Sequence, residues 1–233
     1  MKKSLLLVFA ALTLSFSAQA AVHTCTPAAN SISWCLTQAD TLILTDGVYE
    51  EAYTISFEKP GVVLKAAEGA KPVIKLTGEW TSLQLYATTT FDGITFQGIA
   101  EGVSSVGVGS YCSGTTTGTL NYNNCKFIDF NSTATNKGAA VLCAGDGMRT
   151  LNFTKCTYEN NVSTGNCEGV ISTTASETTI NLIDCSFQNN GTLNGGAVYA
   201  AAGVVNINGS IFNSNTATNG GAAYINGGTV AFG

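Results

Sequence analysis

Along residues 120–233 the apolar and polar positions form one phrase written four times, starting at Leu120, Leu151, Ile180 and Val205 and aligning without a gap. Each copy opens with an aliphatic residue followed by Asn (Asn121, Asn152, Asn181, Asn206) and has an apolar residue at offset two. Offset five holds Cys125, Cys156, Cys185 or Ser210, and offset seven holds Phe127, Tyr158, Phe187 or Phe212. The starts are 31, 29 and 25 residues apart, and Val205 to Val230 gives 25 again. Self-similarity at such a period is the signature of a stacked architecture. Side chains two apart on a strand point the same way, so offsets zero and two share one face, and five and seven share one face. The alternation slips by one residue between the two pairs, which marks a corner in the backbone. A third strand follows near Val141, Ile171, Val198 and Ala223. Three short strands per coil, each pairing with its equivalent in the next, predict an all-β chain folded as a right-handed, single-stranded parallel β-helix. Corner loops absorb the unequal repeat lengths.

Thr89 begins a weaker fifth copy, with Phe91, Ile94 and Phe96 at offsets two, five and seven. The regular repeats are therefore assigned to 89–233, and 21–88 to an N-terminal cap with the first coil or coils. Within the cap, a β-type run at 40–49 is broken by the turn signal Asp46-Gly47, and runs at 53–57, 62–65 and 73–76 follow, separated by Pro60-Gly61 and Glu68-Gly69. The last phrase breaks off at Gly233 without a polar cap. This leads us to expect a fragment of a longer solenoid, or an open coil that docks on another chain.

The first twenty residues carry Lys2 and Lys3, an apolar run and an Ala18-Gln19-Ala20 site, the layout of a bacterial-type secretory signal. No other run approaches membrane-spanning length. All eight Cys follow that segment, so the expected location is secreted or cell-surface, where disulfides persist. Cys25 and Cys35 are candidates for a local disulfide in the cap. Cys112 and Cys143 occupy equal offsets in consecutive coils, and neighbouring parallel strands lie about 4.8 Å apart, within disulfide range. Cys125, Cys156 and Cys185 form an inward column and read as small buried hydrophobes; Cys167 fits neither column. With His23 the only His and no C-x-x-C, no metal site is expected. Asn161, Asn190 and Asn215 recur at offset ten. Left-handed turn geometry suits Asn, and stacked Asn side chains hydrogen-bond along the axis, so this column is read as structural.

Composition narrows the partners. The chain has 10 Lys and Arg against 15 Asp and Glu, a balance that argues against nucleic acid or anionic lipid. Only 11% of residues are charged, leaving Asn and Thr to form most of the polar surface.

The aromatic-x-x-Asn phrase followed by Gly-Gly-Ala-aliphatic, complete in Phe187 to Asn190 with Gly195 to Val198, resembles the repeat of the polymorphic outer-membrane protein family. That resemblance implies a β-helical surface adhesin. The region 40–74 is similar to the opening coil of the pectin-lyase-like superfamily, which includes polysaccharide lyases. A lyase needs a base beside a uronic carboxylate, with cations or a metal such as calcium to hold the charge. Arg149, Lys155 and Lys126 are the candidate cations, and Asp129, Asp146 and Asp184 the candidate calcium ligands. Trp34, Trp80, Tyr49, Tyr53 and Tyr86 are candidates for stacking on sugar rings. No spacing of these residues forms a recognisable cluster. The expected protein is therefore an adhesin-like or structural module that contacts polysaccharide or cell-surface glycans without catalysis and without a cofactor. A polysaccharide lyase acting on a uronic-acid polymer is the alternative.

Overall fold

A computed structural model describes residues 21–78, 83–99, 110–112, 117–132, 140–144, 147–163 and 168–233. Residues 1–20, read from the sequence as a secretory signal, together with Trp80, Asp146, Cys167 and the side chain of Cys112 lie outside the described residues. Among the described residues short strands stack in parallel as a β-solenoid, with one five-residue helix, Ser31–Cys35, at the N-terminal end. The longest ladder has nine strands. It runs from Val22–Cys25 through Thr89–Asp92, Gly118–Asn123, Arg149–Thr154, Thr178–Ile183 and Val204–Asn208 to Thr229–Phe232. We call it the long sheet. A second ladder of seven strands runs from Gly47–Glu51 to Ile211–Asn213, and a third of seven from Ile55–Phe57 to Ala223–Ile225. To the three strands per coil expected from the sequence, the structure adds a fourth. Asn131–Ser132, Val162–Ser163, Gly191–Asn194 and Thr216–Asn219 form a short ladder of their own.

The register matches the repeats like on like. Leu120 pairs with Leu151, Leu151 with Ile180 and Ile180 with Val205. Phe127 pairs with Tyr158, Tyr158 with Phe187 and Phe187 with Phe212. The ladders also continue upstream of Thr89, since Leu64 pairs with Phe91 and Ile74 with Phe96.

This register builds the core directly. Side chains at offset seven stack ring on ring, with centroids 4.8, 4.5 and 4.9 Å apart from Phe127 to Phe212 and planes within 5° of parallel. At offset two, Phe91, Tyr122 and Phe153 stack at 5.0 and 4.7 Å and meet the first file edge-on. Each such contact adds about 0.5–1.5 kcal/mol beyond the burial of its area. The Tyr158 hydroxyl is enclosed without a hydrogen-bond partner, and burial pushes its pKa well above the usual tyrosine value.

Two corners turn the chain within each coil, and both use a residue at positive φ. At the first, offset four holds Asn124, Lys155, Asp184 and Gly209, with φ of 53, 54, 53 and 61°. At the second, offset nine holds Asp129, Asn160, Asn189 and Ser214, at 58, 56, 55 and 54°. The left-handed turn expected at Asn161, Asn190 and Asn215 thus belongs to the residue before each of them. The reason is that these three side chains point inward. Asn161 Nδ2 donates to Phe127 O at 3.0 Å and to Asn190 Oδ1 at 2.9 Å, and Asn190 Nδ2 repeats both bonds to Tyr158 O and Asn215 Oδ1. Further along the coil, Gly195 (φ 66°) leads into the third sheet, and any Cβ there would collide with Val198 O.

Candidate functional site

Among the described residues, the outward positions of the long sheet form a regular surface. Strand pairing aligns Thr119, Thr150 and Thr179 in one column and Asn121, Asn152, Asn181 and Asn206 in the next. All seven are half-buried, as expected for side chains held side by side on a flat face. The amides bond head to tail: Asn152 Nδ2 to Asn121 Oδ1 at 2.9 Å, Asn181 to Asn152 at 2.8 Å and Asn206 to Asn181 at 2.8 Å. The chain of bonds holds each amide in one orientation and leaves its second N–H and remaining lone pair for a ligand. A third column follows with Asn123, Thr154, Ile183 and Asn208. From Gly118–Asn123 to Val204–Asn208, no outward position of the face carries a charge. Columns repeat at about 4.8 Å across strands, and rows at about 7 Å along them. This second Asn ladder was visible in the sequence only as the recurring Asn after each aliphatic start.

The candidate lyase cations do not converge. Arg149, expected on the surface, is enclosed at 3% exposure, its guanidinium donating to Ala144 O at 2.9 Å. It occupies an inward position at the start of Arg149–Thr154, because alternation from Leu151 sends that side chain into the coil. Lys155 sits beyond the other end of this strand, roughly 20 Å away at ~3.3 Å per residue, at an exposed left-handed corner. Lys126 is exposed on the next sheet of the preceding coil. Asp129 and Asp184 occupy different corners, and Asp129 accepts a bond from Gln97 Nε2 at 2.9 Å. The separate corners place the two carboxylates apart.

Cys125, Cys156 and Cys185 are buried one above another. Cys156 Sγ donates to Tyr122 O and Cys185 Sγ to Phe153 O, both at 3.3 Å. Hydrogen bonding between neighbouring thiols, together with burial, raises the pKa of Cys156 and Cys185 far above the ordinary thiol value. The thiols of Cys156 and Cys185 therefore stay protonated. The backbones of Cys112 and Cys143 are partners in the third sheet.

In the cap, Cys25 and Cys35 are disulfide-bonded, with Cα atoms 6.3 Å apart. Among the proposed stacking aromatics, Tyr49 is a core residue and Tyr86 is half-buried with its hydroxyl on Gln84 Oε1. Trp34 and Tyr53 are exposed, at 57% and 71%. His23 lies two residues before Cys25 on the same strand, and its imidazole meets the Trp34 ring edge-on at 5.4 Å, beside a cavity of about 340 Å³. Among the described residues no helix is long and apolar enough to cross a membrane.

No family model and no curated protein matches the chain. The class that its geometry defines is a parallel β-solenoid whose long sheet, from Gly118–Asn123 to Val204–Asn208, bears an uncharged outward face with Thr and Asn columns.

Proposed function

We propose that this is a secreted or cell-surface β-helical protein, adhesin-like, that lays the Thr/Asn face of its long sheet against an uncharged polysaccharide and catalyses nothing. The observation that carries the reading is the head-to-tail ladder of Asn121, Asn152, Asn181 and Asn206 beside the Thr column. Oriented amides and hydroxyls on a rigid lattice meet sugar hydroxyls with little ordering cost, which is the advantage of preorganisation. The net charge of −5 disfavours a uronic polymer and leaves neutral glycans as the matching class. Placement outside the cell is supported by the apolar leader at the start of the sequence and by the Cys25–Cys35 bridge.

The resemblance to the polymorphic outer-membrane repeat supports the adhesin-like reading. The residues that carry it now have physical roles: Phe187 in the ring stack, Asn190 in the buried ladder, and Gly195 at a turn too close to Val198 for a side chain. The pectin-lyase-like resemblance is of the coil alone, and fold does not fix chemistry.

The test is co-sedimentation of the protein with insoluble cellulose, chitin and xylan, and with pectate as the acidic control. Retention on a neutral polymer is expected to fall at least tenfold in the double variant Asn152→Asp, Asn181→Asp, which puts like charges on adjacent strands. Retention unchanged by that variant, or release of unsaturated product from pectate, overturns the reading.

A further inference from the structure

The N-terminal cap gathers the chain's single imidazole and two of its sulfurs in one place. One ring nitrogen of His23 and the sulfurs of Cys25 and Cys35 all lie within 4.8 Å of one another. His23 and Cys25 are two apart on strand Val22–Cys25 and so share a face, while Cys35 arrives from the end of helix Ser31–Cys35. The geometry points to a metal site in the dithiol form of the cap, one that takes a thiophilic d10 cation of the zinc class through His23, Cys25 and Cys35.

Two sulfurs and an imidazole nitrogen are the donor set of an open zinc site, with bonds of about 2.3 and 2.0–2.1 Å and tetrahedral edges of roughly 3.4–3.8 Å. The imidazole nitrogen and both sulfurs lie within 4.8 Å of one another, and opening the bridge lets the two sulfurs separate from bonding distance to such an edge without moving the elements that carry them. The adjoining cavity, about 340 Å³ and lined also by Thr24, Thr26 and Ser31, leaves room for water at the fourth position. Trp34 lies edge-on against the imidazole at 72° and limits its rotation.

The donors are held by bonds independent of the disulfide. Strand Val22–Cys25 is paired along its length with Thr41–Leu44. The Tyr49 hydroxyl donates to Cys25 O at 2.7 Å, and Ile32 N donates to the buried Glu51 carboxylate at 2.9 Å, anchoring the helix that carries Cys35. The cap is therefore expected to keep its backbone when the bridge opens. A dithiol reductant supplies two electrons and two protons to the Cys25–Cys35 bond and is itself oxidised to a disulfide. The cation then displaces the two thiol protons to solvent.

The experiment uses the whole chain, with Zn2+ and Co2+ as probes. Protein reduced with a phosphine is expected to bind one equivalent of Zn2+. Its Co2+ form is expected to show the thiolate charge-transfer and tetrahedral d–d absorption of a site with two sulfur ligands and one nitrogen. The oxidised protein should show neither. His23→Ala leaves both thiols and the bridge in place, so its folding is not in question; affinity should drop more than about tenfold, because a direct ligand is lost. Cys35→Ser should abolish the charge-transfer band, with circular dichroism reporting that the solenoid persists. Binding of equal strength in oxidised protein, binding unaffected by His23→Ala, or no binding after reduction each overturns the assignment. Since the neutral-glycan face is remote in sequence from the cap, the outcome is independent of the glycan experiment.

Discussion

The two corners of each coil follow one plan and are filled differently. A left-handed residue turns the chain, and the next residue points inward; from Cys156 and Asn161 onward it bonds to a carbonyl of the preceding coil, whereas Cys125 donates to Asn123 O of its own coil at 3.3 Å. At the first corner the inward residue is Cys125, Cys156, Cys185 or Ser210. Cys156 reaches Tyr122 O, Cys185 reaches Phe153 O and Ser210 reaches Leu182 O, each at 3.3 Å. At the second it is Asn161, Asn190 or Asn215, reaching Phe127 O, Tyr158 O and Phe187 O, each at 3.0 Å. A thiol is a weak donor that fills space like a small hydrophobe. An amide bonds in both directions: Asn190 donates twice, and its Oδ1 accepts from the backbone and the side chain of Asn161. The backbone plan sets where a corner falls, and the bonding capacity of the inward side chain sets how much of the fold depends on it.

The comparison predicts its largest effect at Asn190. Asn190→Ala removes a bond from Asn161 N, Asn161 Nδ2, Tyr158 O and Asn215 Oδ1, of which Asn161 Nδ2 keeps Phe127 O and Asn215 Oδ1 keeps the backbone N–H of residue 190. With about 1–3 kcal/mol for each buried group that loses this bond without another side-chain partner, the expected loss is about 4 kcal/mol in urea unfolding. A loss under about 1 kcal/mol would make the second corner no more important than the first.

A smaller effect of opposite sign is expected between the corners. The Tyr158 hydroxyl is buried without a partner, so Tyr158→Phe removes a desolvation cost while keeping the ring stack. The expected gain is about 1 kcal/mol at neutral pH. Its pKa is raised in the fold, so above the ordinary value of 10.0 the unfolded chain releases a proton that the native chain retains. Stability is complete below that pH and declines above it. Tyr158→Phe should therefore flatten the alkaline limb of a stability–pH profile as well as raise it.

How much of this was legible beforehand follows from what periodicity encodes. The ring file at Phe127, Tyr158, Phe187 and Phe212 could be read directly, because side-chain spacing of two and like-on-like stacking leave one arrangement. The buried Asn column was legible as a column, but its turn was misplaced by one residue. Asn suits both roles, and only the inward direction of Asn161 separates them. The fourth short ladder escaped because Asn131, Val162, Gly191 and Thr216 share no residue type. Arg149 was read as a surface cation from its charge, whereas its place two residues before Leu151 puts it on the inward face. His23 shares a face with Cys25, and Cys25 with Cys35 was read as a local bridge, but the seat of the Trp34 ring against the imidazole depends on where a short helix lands, which no spacing in the chain states.

The smallest effect tests the first corner itself. Ser210 already occupies the Cys position in the fourth copy, donating to Leu182 O at 3.3 Å and accepting from Cys185 N at 3.0 Å. A hydroxyl is thus an adequate occupant, and Cys156→Ser can keep the bond to Tyr122 O while giving up some apolar volume. The expected loss is about 0.5 kcal/mol, well short of Asn190→Ala. The pH dependence adds a second signature. Hydrogen bonding to Cys125, then burial, raises the Cys156 pKa, so the native thiol keeps its proton where the unfolded thiol, near 9.0, loses it. Stability must fall as pH rises past that value, and a serine removes this contribution. A Cys156→Ser protein less stable at neutral pH but shallower in its decline above pH 9 would show that the corner asks only for a small inward donor. A loss near 4 kcal/mol would show instead that the thiol column carries the fold as the amide column does.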